Sequence, residues 1–311
     1  MVRQHNVYLA LIAGALCFAS NAQAETLRIM TGPSGGAFYT LGSALSEIIE
    51  REVPGSSVTV QPGGSQANIL AVSTGKAELG LTGSAAYGTA ILGGAPFKEP
   101  VKDVVHLGTF WSQAWQLAVT EASGVQSIPD LKGKRIAVTT RGSVGESASR
   151  DVLSVYGLTY DDLASVEYIA GSAAVDGIKD GRLDGFSPVG PVPYNFHLDI
   201  ATSIDARLIG VDADKIEELR KINPGYISVD VPGGTYRGVD QSVTTVGDTA
   251  MLVVSSELGA ELVESIARAI AKPENVERLR TVMASLKGLT AEVFHDAAGM
   301  PRHPGAEKAA Q

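Results

Sequence analysis

Residues 27–50, LRIMTGPSGGAFYTLGSALSEIIE, decide how the chain is read. An apolar run, a turn of Gly32, Pro33, Ser34, Gly35 and Gly36, and a helical pattern beginning near Ala37 predict one strand–turn–helix unit. Phe38, Leu41, Leu45, Ile48 and Ile49 recur three or four residues apart, which puts them on one helix face that a sheet can cover. The turn then aims the first free N–H groups of the helix, with the positive end of its dipole, beyond the carboxyl end of the strand. An anion suits that position, and Gly35 and Gly36 let it approach the backbone, with Thr31, Ser34 and Tyr39 as polar neighbours. Turns of this kind also serve simply to reverse the chain in α/β proteins.

The pattern repeats. Residues 57–61 (SVTVQ) predict a second strand, followed by Pro62-Gly63-Gly64-Ser65 and a helix carrying Asn68 on its first turn, with Ser65 as the N-cap. Residues 78–82 predict a third strand that passes through Gly83 and Ser84 into a short helix bearing Tyr87. Three strand ends thus offer small polar residues on one edge of an open parallel sheet, the place where ligands gather. Taken singly, each serine reads more readily as a plain helix cap.

Residues 104–120 hold two apolar stretches, with Trp111 and Trp115 close by, and the second, WQLAVT (115–120), predicts the first crossing strand. A break in composition over 121–130 precedes a second α/β series: strand RIAVT (135–139), the turn Thr140-Arg141-Gly142-Ser143, and a helix to Tyr156 whose Ser143 and Glu146 have capping-box spacing. Arg141 stands out as a fixed cation with forked donors ahead of a helix N-terminus, suited to bidentate capture of a carboxylate; a solvated surface arginine is its other reading. Strands follow at 166–170, at 183–186 ending in Ser187, and at 206–211. Residues 226–247 read as the return crossing and 250–255 as the last strand. Helices over 259–287 break near Pro273, and the Pro-rich tail docks on the first domain.

The first 24 residues have a basic start (Arg3, His5), an apolar run from Val7 to Ala19 and an Ala22-Gln23-Ala24 cleavage site, the form of a secretory signal peptide. Leu16 ahead of Cys17 lacks the small residue of a lipoprotein site. Cleavage removes the only cysteine, leaving 287 residues with no disulfide or thiol chemistry and enough length for one large or two medium domains. It also removes Arg3, taking the formal net charge from −9 to −10. Such a surface disfavours nucleic acid and anionic lipid, though a local array of N–H groups and one arginine still accommodates a small anion. No metal motif and no cofactor motif is present.

Several blocks together resemble the TRAP-associated extracytoplasmic immunogenic (TAXI) family of solute-binding proteins: Gly35-Gly36-Ala37-Phe38-Tyr39-Thr40-Leu41-Gly42, Gly63-Gly64-Ser65, Asp130-Leu131-Lys132-Gly133-Lys134-Arg135, Gly142-Ser143, Leu183-Asp184-Gly185-Phe186, Gly234-Thr235-Tyr236 and His303-Pro304-Gly305-Ala306. They span nearly the whole exported chain in family order. The DLKGKR stretch is common to many binding proteins, whereas GGAFYTLG, GGTY and HPGA are more specific. The resemblance implies a type II periplasmic-binding-protein fold, with two α/β lobes and a ligand cleft between them. Lobe I is expected at 25–120 plus 240–311 and lobe II at 121–239. It also implies a non-enzymatic periplasmic receptor that delivers glutamate, glutamine or a 2-oxo dicarboxylate to TRAP transporter membrane subunits; a monomer is the default expectation for a cleft that must open and shut. A role presenting ligand to a membrane sensor is the alternative. The expected ligand contacts are Ser34, Gly35, Gly36, Tyr39, Ser65, Asn68, Ser84 and Tyr87 from the first lobe and Arg141, Gly142, Ser143 and Ser187 from the second. The chain departs from the family pattern at Arg141, where proline is usual, and at Gly145, where a hydroxyl residue is common. A rival reading takes Ser34 in Gly32-Pro33-Ser34-Gly35-Gly36 as a hydrolase nucleophile, which requires a histidine within hydrogen-bond reach.

Overall fold

A computed structural model of the protein describes residues 25–32, 34–169, 171–297 and 299–311; the expected signal peptide lies outside them. The opening unit forms as its pattern predicts, with strand β1 (Glu25–Met30) followed by helix α1 (Ala37–Glu52), whose Leu41, Leu45, Ile48 and Ile49 are fully buried. β2 (Ser56–Gln61) and α2 (Ser65–Ser73) repeat it, as do β3 (Leu79–Gly83) and α3 (Ser84–Ile91). β4 (Val104–Trp115) then runs into β5 (Leu117–Thr120) with only Gln116 between them.

The second series is β6 (Arg135–Ala137), α4 (Val144–Val155), β7 (Ser165–Glu167), α5 (Ser172–Lys179), β8 (Gly185–Phe186), β9 (Val189–Gly190), α6 (Asn195–Ser203), β10 (Ala206–Ile209) and α7 (Ala213–Ile222). β11 (Ile227–Val231) and β12 (Val243–Ser255) lead to α8 (Ala260–Ala271), α9 (Pro273–Val282), α10 (Ala291–His295) and α11 (Pro304–Ala309). The break at Pro273 falls where a ring without an N–H starts a new helix at its first position.

Two sheets result. The first has the order β2-β1-β3-β12-β4-β9, with β11 paired to β12; the second has the order β10-β5-β8-β6-β7. Their centres share one plan. In each, the first strand of its series (β1 or β6) lies between the next two in parallel pairing, and an antiparallel strand flanks the third (β12 beside β3, β5 beside β8). A further antiparallel strand, β4 or β10, closes each set.

β12 is the longest strand. Sequence patterning marked only 250–255, because the Thr- and Gly-rich residues before it lack an apolar alternation. Pairing with β4 and β11 carries the strand back to Val243. Gly247 permits the close pairing, since a Cβ there would sit 1.9 Å from the Gln113 carbonyl oxygen. One apolar core joins α1, α8, α9 and α11 to the first sheet, and a second joins α4 and α7 to the second. The tail docks on the first: Ala306 and Ala309 are in that core, and His303 N–H donates to the His106 carbonyl.

Candidate functional site

At the first sheet, Ser34 and Gly35 lie exposed in the turn, and Gly35 adopts φ +81°, a conformation that disfavours side chains. Gly36 is the N-cap of α1; no side chain caps that helix and no acid lies in its first turn. The leading N–H groups are therefore free for a guest. Tyr39 is half-buried on the first turn, and Phe38 leans on Trp111 with ring centroids 5.8 Å apart.

The second and third strand ends differ from expectation. Gly64, not Ser65, is the N-cap of α2, because the Asn68 carboxamide organises that corner from within. Its Oδ1 accepts from Gly64 N–H at 3.0 Å, and its Nδ2 donates to the carbonyls of Thr31 (2.8 Å) and Leu81 (2.6 Å). The half-buried Ser65 Oγ accepts from Gly83 N–H. Ser84 donates to the Gly225 carbonyl at 2.7 Å and accepts from Thr249 N–H at 2.9 Å, and Tyr87 donates to the Val104 carbonyl at 2.7 Å. Asn68, Ser84 and Tyr87 are at most 1% exposed, so these three expected ligand contacts are structural. Ser187 joins them: it is buried, with its hydroxyl 2.8 Å from that of Ser149.

At the second sheet, the turn after β6 carries Thr139 at φ 67°, rare for a β-branched residue, with its Oγ1 2.7 Å from Ser143 Oγ. Ser143 caps α4 by accepting from Glu146 N–H. The expected capping box is half formed, because the Glu146 carboxylate accepts from Gly142 N–H instead of closing on Ser143. Gly145 packs under this turn, where a Cβ would meet Thr139 Oγ1 at 2.7 Å, so the hydroxyl residue common there has no room. Arg141 is exposed and lies over the Tyr168 ring, 3.5 Å from its centroid.

The turn after β6 borders a groove of about 730 Å³. One wall is Gln66 at the start of α2 with Thr89 of α3 and Leu92 just beyond it; the other is Arg141, Gly142, Ser147 and Arg150 with the carboxylates of Glu146 and Asp151, Glu146 being paired to Arg150. Asn223 and Ile222 close one side. Among the sequence-predicted residues, Arg141 and Gly142 line this groove and Ser65 adjoins Gln66; Ser34, Gly35, Gly36 and Tyr39 lie outside its lining. Leu92 and Ile222 are 56% and 45% exposed, so the groove offers apolar surface beside its charges.

Sequence reading missed Gln66, Arg150 and Asn223. Gln66 directly follows the GGS block and was open to detection; Asn223 ends a polar helix with no local signal.

Ser34 has no hydrolytic partner in view. Among the described residues, His106 pairs with Thr109, His197 with the Gln116 carbonyl and His303 with the Leu258 carbonyl, and no histidine is hydrogen-bonded to Ser34.

Residues 29–310 match the sequence profile of the NMT1-like family. The chain belongs to the NMT1-like family. The NMT1-like protein is also similar in fold to solved binding proteins. A TctC solute binding protein from Polaromonas is 17% identical, with 83% of this chain and 87% of that chain covered and a TM-score of 0.55. The periplasmic aliphatic sulphonate binding protein SsuA from Escherichia coli is 18% identical, with 86% and 76% covered and a TM-score of 0.52. PhnD1 from Prochlorococcus marinus, in complex with methylphosphonate, is 12% identical, with 85% and 92% covered and a TM-score of 0.51. At such identities the likeness establishes the fold: two α/β lobes of the periplasmic-binding-protein type, as the NMT1-like protein's own sheets display.

Proposed function

We propose that this protein is a periplasmic solute-binding receptor, not an enzyme, which captures a small organic anion between its lobes and delivers it to a membrane transporter. Lobe I would comprise 25–120 with 240–311, and lobe II 121–239. The observation that carries the reading is Arg141. It is a guanidinium lying over the Tyr168 ring at a groove between the two halves, and it forms no ion pair among the described residues. A fixed cation with forked donors suits a carboxylate, and the uncapped starts of α1 and α2 face anions by their dipoles.

In this reading Arg141, Gly142 and Ser143 contact the anion from one lobe, and Ser65 with the Ser34–Gly36 turn and Tyr39 do so from the other. Contacts from both sides give the closed form its extra affinity, and that difference drives closure. The TAXI resemblance makes glutamate, glutamine or a 2-oxo dicarboxylate the leading cargo and a TRAP transporter the recipient, with a monomer as the default for a cleft that opens and shuts. No helix among the described residues is long and apolar enough to cross a membrane, in keeping with an exported receptor that works beside separate membrane subunits.

A thermal-shift panel of glutamate, glutamine, 2-oxoglutarate, succinate, an alkanesulfonate and a phosphonate tests the proposal. One carboxylate is expected to raise the melting temperature in proportion to its saturation, and Arg141→Ala to abolish the shift. A shift from the sulfonate or phosphonate alone would reassign the cargo, and none from any anion would remove the proposal.

A further inference from the structure

Trp111 and Trp115 stand on one face of β4 and anchor that strand in two different cores. Trp111 belongs to the core of the first sheet and meets Phe38 in the first turn of α1. Trp115 belongs to the second core and donates its Nε1–H to Ser149 Oγ on α4 at 3.0 Å. Gln113 lies between them on the same face, because alternate side chains of a strand point the same way. It joins neither core and is half-buried. Strand spacing puts it about 7 Å from each tryptophan, in the gap between the two halves.

Both turns assigned to the anion reach this gap. Phe38 opens α1 just after Gly36 and Ala37. On the other side Gly145 lies under the Arg141 turn, where a Cβ would come within 3.2 Å of the Val189 nitrogen, and Val189 pairs with Trp115. Gln113 therefore sits between the two places where the anion is held.

Its carboxamide has a set orientation. Nε2 donates to Asp248 Oδ1 at 3.2 Å, across the ladder in which the two residues are paired. Asp248 is 1% exposed and takes a further N–H from Ala85 at the start of α3. Gly83 makes room for this carboxyl, since a Cβ there would meet Asp248 Oδ2 at 2.1 Å. With an acceptor behind it, the nitrogen end of the Gln113 carboxamide faces Asp248 and the oxygen end faces away. Among the described residues nothing donates to that Oε1, and it is open to solvent. The gap is thus offered an acceptor that is polarised from behind.

We infer that Gln113 is a specificity residue of the cleft: its carboxamide oxygen, positioned by Asp248, accepts an N–H from an amino group beside the anion's carboxylate, so that 2-amino acids are bound in preference to the matching 2-oxo acids. An ammonium donates to that oxygen, whereas an oxo group brings only further lone pairs and leaves it unsatisfied in a closed cleft. The inference rests on the solute-binding reading and adds to it the sorting of cargo by one functional group.

Isothermal calorimetry on the exported chain tests it with pairs that differ only at that group, glutamate against 2-oxoglutarate and alanine against pyruvate, with succinate as a carboxylate that has neither. In the pair that binds, the amino acid is expected to be tighter by about tenfold or more, the worth of a hydrogen bond from a charged donor. Gln113→Met keeps the length and removes the acceptor, and should cut the preference to about twofold or less while the oxo acid binds as before. Asp248→Asn can turn a donor toward Gln113 and release the carboxamide to flip, so it should narrow the preference as well. Equal affinities within the pair, a tighter oxo acid, or a preference kept in full by Gln113→Met or Asp248→Asn overturns the inference and leaves the receptor reading standing. Binding of succinate but of no amino acid does the same, whereas binding of none of these carboxylates removes the receptor reading and the inference together. The wild-type pairs decide the matter even if a variant fails to fold.

Discussion

The Arg141 guanidinium rests over the Tyr168 ring at 3.5 Å, so the cation at the groove is held by a face rather than by an acid. A carboxylate partner would have quenched its charge, whereas a ring orients it and leaves its donors free. Arg141→Ala is expected to weaken anion binding by about 1.5–3 kcal/mol, the worth of a charge-assisted hydrogen bond. Tyr168→Leu should cost about 0.5–1 kcal/mol by loosening the same group. Isothermal calorimetry checks both, and equal affinities in all three proteins would separate Arg141 from the site.

Asn68 should matter to folding more than to binding. Asn68→Ala strands Gly64 N–H and the Thr31 and Leu81 carbonyls in a buried corner, with an expected loss of about 3 kcal/mol or more. In urea the midpoint should drop at unchanged slope.

Tyr236 ties the junction of β4 and β5 to the segment after β11. Its hydroxyl donates to Gln116 Oε1 at 2.6 Å and accepts from Tyr194 N–H at 2.7 Å. Tyr236→Phe removes both bonds around the single residue between the strands. A destabilisation of about 1–3 kcal/mol is expected by denaturation. Faster amide exchange at Tyr194 would confirm the cause.

Buried histidines are expected to make the protein acid-sensitive. Burial pushes His197 down to about 4; it does the same to His106, with the neighbouring Arg302 charge adding to the effect, to about 3. Both bind protons more readily unfolded, near 6.5, so their stabilising contribution is full above that pH and fades as pH falls toward their folded values. Each should account for about 2 kcal/mol lost on reaching about pH 5. Asp248 acts with the opposite sign: its raised value favours the folded state in acid and ceases to do so as pH rises to about 7. Urea midpoints across pH for wild type and Asp248→Asn should therefore differ most on the alkaline side.

How far the sequence carried can be seen residue by residue. The strand–glycine–helix units at β1, β2, β3 and β6 were legible because apolar period and turn residues are local signals. Arg141 and Gly142, singled out from their turn, line the groove. Asn68, Ser84, Tyr87 and Ser187 read as ligand contacts because a small polar residue at a strand end looks alike whether it faces a cleft or a neighbouring backbone. Only packing distinguishes the two, through partners such as Gly225 and Val104 that are distant in the chain. Asp248 gave no local signal, since its carboxyl receives an N–H from α3, far earlier in the chain.

The interleaved strand order also sets a timetable for the ribosome. Every strand of the second sheet has been made once Ile209 emerges, but the first sheet waits for β12 to fill the gap between β3 and β4. The part translated first is thus finished last, and until then its edges at β3 and β4 lie bare and in need of shelter.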